Sequence, residues 1–261
     1  MNSQRVQTIL VHTWYHFAHS METWVDLLWN PAVQILVFAF IGKSLAAGSD
    51  QVVAQNMVLG MIFWNIIWIG QYAIAVGALW EIWSASFNTM FVTPMTLEEF
   101  LAGQIIGGLF KSLIAIAITS FFGLMIYHIS VLTLSYMLII YFLELYLFSC
   151  SFGMLVLGFI IRFGKDVQSL SWALIFLVQP LGAVFYPVSV LSPPLQMIAW
   201  SLPTTYVFEA MRRQLGSGLI RWDLILWATI LNIIFLIFGY TMLRLFFRQA
   251  KENGMLAKLE E

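Results

Sequence analysis

Between Gln51 and Trp80 the chain has no Asp, Glu, Lys or Arg, and 53–79 is one uncharged, largely apolar run. A helix needs about 20 such residues to cross roughly 30 Å of hydrocarbon, so this run spans a bilayer with length to spare. Five more runs follow the same rule, at about 27–46, 100–126, 131–160, 170–186 and 223–247. The chain is 61% hydrophobic and 10% charged, against roughly 25% charged for a soluble domain. A soluble fold has no polar shell large enough for that. In lipid every backbone N–H and C=O must be paired within the protein, which favours helices. The expected fold class is therefore an all-α polytopic membrane protein with six transmembrane helices.

The charge balance excludes other classes. A net charge of -1 gives no footing for nucleic acid. The single cysteine, Cys150, lies in an apolar run, which rules out an intrachain disulfide and argues against a thiolate metal cluster. The first run begins near Leu27 with no small-residue cleavage site after it, so no cleavable signal peptide is expected. Residues 1–26 form a separate unit, with Val6, Ile9, Leu10, Trp14, Phe17, Met21 and Trp24 recurring at three or four. That is the pattern of a helix lying in the membrane surface. With both termini inside, inner segments carry seven positives (Arg5, Arg162, Lys165, Arg244, Arg248, Lys251, Lys258) and outer segments four (Lys43, Arg212, Arg213, Arg221). The excess favours cytoplasmic termini. The six spans fill 27–247, and 248–261 reads as a charged, frayed cytoplasmic tail.

Two stretches break the apolar pattern. In 81–100, Trp83, Phe87, Met90 and Phe91 recur at helical spacing while Ser84, Ser86 and Asn88 face away. This predicts a short amphipathic helix over 81–93, stopped by Pro94, with Thr96 and Glu99 as a capping box for the next helix. The second stretch, 185–214, is too apolar for a loop and is broken by Pro187, Pro193, Pro194 and Pro203. It reads as a pair of half-depth helices over 187–209 dipping back from the outer face, or else as two interfacial helices without a gating role.

Certain residues carry a family likeness. They are Glu81, Phe91, Thr93-Pro94, Glu98 and Gly103 in the first stretch. In the second they are Phe185-Tyr186-Pro187, Leu191-Ser192-Pro193-Pro194-Leu195, Trp200, Leu202-Pro203, Tyr206 and Glu209-Ala210-Met211-Arg212. In this order, over nearly the whole chain, they resemble the ABC-2 type permeases of ATP-binding-cassette exporters. The resemblance implies a six-span subunit that pairs with a second permease copy and with two copies of an ATPase, in a bacterial-type inner membrane. ATP and Mg would be bound by that partner and no cofactor by this chain. It implies that 81–93 is a coupling helix, with Glu81, Trp83, Phe87, Phe91, Pro94 and Glu98 meeting the ATPase. It also implies an outer gate formed by Tyr186, Pro187, Pro193, Pro194, Pro203, Tyr206 and Glu209. The string of Arg and Glu common before the Thr-Pro turn in many members is missing here, so docking is expected to be more apolar.

The chain shows no engine of its own. Gly42-Lys43-Ser44 mimics the end of a phosphate-binding loop, but Val37 stands where its leading glycine belongs. Lys111 and Glu144 are the charges deepest in the runs; at 1.5 Å per residue they fall about 7 Å apart in depth, so they either pair between adjacent spans or line the substrate path. Trp64, Trp68, Tyr72 and Tyr141 are candidates for that path, against the plainer reading of aromatic packing. Glu209 with Arg212 and Arg213 reads as a salt-bridging patch at headgroup level. Gly103 and Gly107 make a close-contact step. His12, His16 and His19, followed by Glu22, could face a metal, but no metal site is expected because ligands from a second element are missing. The leading function is the transmembrane permease subunit of an ATP-driven exporter for a glycan, a lipid-linked or an amphiphilic substrate. The alternatives are a membrane enzyme acting on a lipid-linked substrate and an ion-coupled carrier.

Overall fold

The computed structural model describes residues 2–25, 29–46 and 51–258. The expected boundary between surface helix and first span, at 26–27, lies outside these residues. The described chain is helical throughout: α1 (Ser3–His19), α2 (Met21–Trp24), α3 (Asn30–Ala46), α4 (Gln51–Trp83), α5 (Phe87–Val92), α6 (Leu97–Tyr127), α7 (Met137–Phe163), α8 (Leu170–Leu181), α9 (Pro193–Trp200), α10 (Pro203–Ser217), α11 (Trp222–Glu252) and α12 (Met255–Lys258).

Among the described residues four helices are long and apolar enough to cross a membrane: α4 from Gln55, α6, α7 and α11. Of the other two expected spans, α3 has 17 residues and α8 only 12. The run 170–186 is apolar to its end, yet its helix stops at Leu181. Pro180 removes a backbone donor in the last turn, Gly182 caps it, and Ala183 turns left-handed at φ 51°. At 1.5 Å per residue, α8 covers about 18 Å.

Helices α4 and α7 form the centre. Their apolar windows are 83% and 78% buried, against 22% for both α6 and α11, whose outer faces are open. Small residues permit the close approach. A Cβ added to Gly153 of α7 would stand 3.0 Å from Ile74 of α4, and one on Gly239 of α11 would meet the Ser151 carbonyl at 2.5 Å. Helix α6 ends at His128, which caps it in the left-handed conformation at φ 56°.

Helix α1 packs along the bundle. It follows α6: Gly103 receives Ile9, Gly107 receives Thr13, and Phe17 packs with Ala115 and Ile69. The glycine step thus serves α1 rather than a neighbouring span. The tail also departs from expectation. α11 continues helically to Glu252, α12 follows, and Ala250 and Leu256 are buried.

Candidate functional site

The link between α4 and α6 gathers contacts from distant parts of the chain. Residues Glu81–Trp83 belong to α4, not to a separate helix beginning at 81. The break comes at Ser84–Ser86, where Ala85 is left-handed at φ 54° and the Ser86 N–H closes onto the Glu81 carbonyl at 2.9 Å. Helix α5 is then a single short rod, 87–92, ended by Thr93-Pro94. The capping box is formed as expected: the Glu99 N–H donates to Thr96 Oγ1 at 3.3 Å, and the Thr96 N–H donates to Glu99 Oε2 at 3.1 Å.

Two carboxylates fasten α1 to this elbow. Glu99 also accepts the Asn2 backbone N–H at 2.7 Å and pairs with Arg5, whose guanidinium donates to the Pro94 carbonyl as well. Glu81, buried beneath the turn, accepts from the Ser86 hydroxyl and lies 3.1 Å from His12 Nδ1. The other imidazoles go elsewhere. His16 packs against the Trp80 ring, and His19 meets the Tyr15 carbonyl at 2.9 Å. The Glu22 side chain lies outside the described residues.

The apolar seam of the elbow points inward. Phe87 is fully buried, edge-on to Phe91 and Phe100 at 5.0 and 5.7 Å. Phe91 reaches Phe247 of α11 at 4.8 Å. Both rings hold the elbow to its own protein; for the enclosed Phe87 this corrects the expectation that it meets a partner, while Phe91 stays half-buried. The elbow exposes Trp83 (44%), Val92 (81%), Thr93, Pro94 and Glu98, together with the small polar or short side chains of Ser84, Ala85, Thr89 and Thr96. Trp83 Nε1 donates to Gln168 Oε1 at 3.1 Å and its ring stacks on Trp172. The Tyr240 hydroxyl donates to Glu98 Oε1 at 3.1 Å. Arg5, Gln168, Tyr240 and Phe247 were not legible as members of this site, and of Glu99 only the capping-box role was.

The Pro-broken stretch folds as two helices, α9 and α10, each starting on its proline. The expected surface patch is instead interior. Glu209 Oε1 accepts the Val188 N–H at 2.8 Å and the Arg212 guanidinium at 3.1 Å, with both side chains nearly enclosed. Arg213 alone faces outward. The Tyr186 hydroxyl donates to the Pro180 carbonyl at 2.7 Å, and Tyr206 lies edge-on to Trp200 at 4.9 Å. Pro187 and Pro193–Pro194 bracket the short turn that carries Val188, and Pro203 opens α10.

Lys111 and Glu144 do not meet. Glu144 is held by α11, accepting from Thr229 at 2.5 Å and from Asn232 Nδ2 at 2.6 Å. Lys111 forms no ion pair among the described residues. Nearness in depth did not translate into contact because Glu144 turns towards α11 and Lys111 towards α1. The path aromatics do not converge either. Trp64 and Tyr141 are core residues, the latter donating to Gln214 at 2.8 Å, while Trp68 and Tyr72 are half-buried on another part of α4.

The family model described as ABC-2 type transporter matches residues 6–216, from the first turns of α1 to the end of α10. The chain belongs to this family. No curated protein matches it. As an ABC-2 type permease it is a membrane subunit rather than an enzyme, and membership implies an associated ATP-binding-cassette ATPase and a lipid surrounding. Among the described residues no group of three or more His, Cys, Asp or Glu is disposed to hold a metal ion.

Proposed function

We propose that this ABC-2 permease is the membrane half of an ATP-driven exporter that moves a glycan, a lipid-linked or an amphiphilic substrate outward by alternating access. Two copies would enclose the path, and two copies of a separate ATPase would carry ATP and Mg. Helices α3 and α8 would complete six crossings in a bacterial-type inner membrane, with both termini cytoplasmic. The α9–α10 hairpin would close the path outside, its Val188 turn held by Glu209.

The observation that carries this reading is the elbow. Its exposed rim of Trp83, Val92, Thr93 and Pro94 suits a groove on a partner. Behind that rim Phe87, Glu81 and Glu99 join it to α4, α6 and α1, and Phe91 joins it to α11. A push on a short rod so tied moves long helices rather than bending a loop. In lipid vesicles holding the permease with its ATPase, export is expected only with hydrolysable ATP. Export by the permease alone, or export that follows an ion gradient with ATP absent, would overturn the proposal.

A further inference from the structure

Between α1 and α6 lies a cleft of about 290 Å³. Its walls are apolar, with Leu10, Trp14 and Phe17 on one side and Phe110 and Ile114 on the other, and Lys111 is the only ionisable residue among them. On its other side Lys111 borders a small polar chamber of about 30 Å³ shared with His12, Gln104 and Glu81. The acids nearby are already engaged, Glu81 by Ser86 and His12 and Glu99 by Arg5 and Asn2. Further along the same face of α6, beside 117–122, opens a wholly apolar cleft of about 830 Å³ walled by α2 and α3.

The level of Lys111 follows from helix length. α6 has 31 residues, about 46 Å at 1.5 Å per residue, so about a third of it lies outside a hydrocarbon layer of roughly 30 Å. The polar residues of α1 meet the elbow, Arg5 at Pro94 and Glu99 and His12 at Glu81, and mark that end of α6 as the projecting part. Lys111 then sits a short way inside the headgroup boundary, within reach of a lysine stem. An unpaired cation there is costly and calls for an anion.

We infer that this cleft binds an anionic phospholipid from the leaflet on the elbow side, its phosphate on Lys111 and its acyl chains along α6. A cation at one end of an apolar groove is complementary to a negative head on an apolar tail, and basic pockets between membrane helices hold such headgroups. The site does not depend on the direction of transport.

The test uses the intact permease in nanodiscs of equal parts phosphatidylglycerol and phosphatidylcholine, extracted into neutral detergent and weighed by native mass spectrometry. Wild type is expected to retain phosphatidylglycerol over phosphatidylcholine by about fivefold, the factor one lysine near an anionic surface supplies. Lys111→Met should erase the preference and Lys111→Arg should keep it. Ile114→Trp, which fills the tail groove and leaves the cation, should also lose the bound lipid. Melting temperature and elution volume report whether each variant is folded. Equal retention of both lipids by wild type, or undiminished preference in Lys111→Met, would overturn the site. So would displacement of the lipid by inorganic phosphate alone. Loss of the second permease copy in Lys111→Met, with no lipid adduct in wild type, would assign the face to the dimer instead.

Discussion

Phe87 and Val92 stand five residues apart on one short helix and should fail in opposite ways. The Phe87 side chain is fully enclosed between Phe91 and Phe100. Truncation to alanine leaves a cavity that the capped start of α6 cannot close, and costs about 3–5 kcal/mol. Phe87→Leu keeps most of the volume and should cost about 1–1.5 kcal/mol. Val92 is 81% exposed at the other end of the rod, so Val92→Asp should change stability by no more than about 0.5 kcal/mol. Its effect belongs to docking, because it sets a hydrated charge where an apolar contact is expected. Thermal unfolding of the purified permease and co-purification of its ATPase separate the two. Phe87→Ala should lower the melting temperature, and any loss of ATPase should track the loss of folded permease. Val92→Asp should melt like wild type and release the ATPase. If Phe87→Leu melted normally yet lost the ATPase, or if Val92→Asp kept full coupled turnover, the inward assignment of the aromatic seam would be wrong.

Three further outcomes follow from the packing. Glu209→Ala leaves Arg212 buried without its partner and should destabilise by about 3–5 kcal/mol, while Glu209→Ala with Arg212→Met should recover part of that loss in the same melting assay. Gly103→Ala places a Cβ 2.3 Å from Ile9 Cγ2; the strain should amount to about 1–3 kcal/mol and raise hydrogen exchange in α1, with no change there counting against the α1–α6 seam. Cys150 is buried, so it should resist maleimide in the folded protein, and Val92→Cys should label only from the cytoplasmic side of sealed cells; labelling from outside would invert the topology.

The composition of the runs and the proline spacing made the helical membrane body and the break into α9 and α10 legible, because both depend on local rules. So does the capping box at Thr96 and Glu99. The start of the elbow was misplaced because helical periodicity passes unbroken from Trp83 to Phe87; a left-handed Ala85 leaves no mark in an apolar pattern. Depth brought Lys111 and Glu144 together, but the direction each faces around its helix depends on which neighbour packs there. The burial of Glu209 with Arg212 was equally hidden, since an i,i+3 pair looks the same on a surface as inside. Arg5 and Tyr240 join the elbow from opposite ends of the sequence, and no short-range signal links residues so far apart.

The first helix and the last long helix meet at the elbow: Asn2 and Arg5 through Glu99, Tyr240 and Phe247 through Glu98 and Phe91. A substitution at Arg5 or Tyr240 therefore loosens the elbow from outside it, although neither residue belongs to the α4–α6 link.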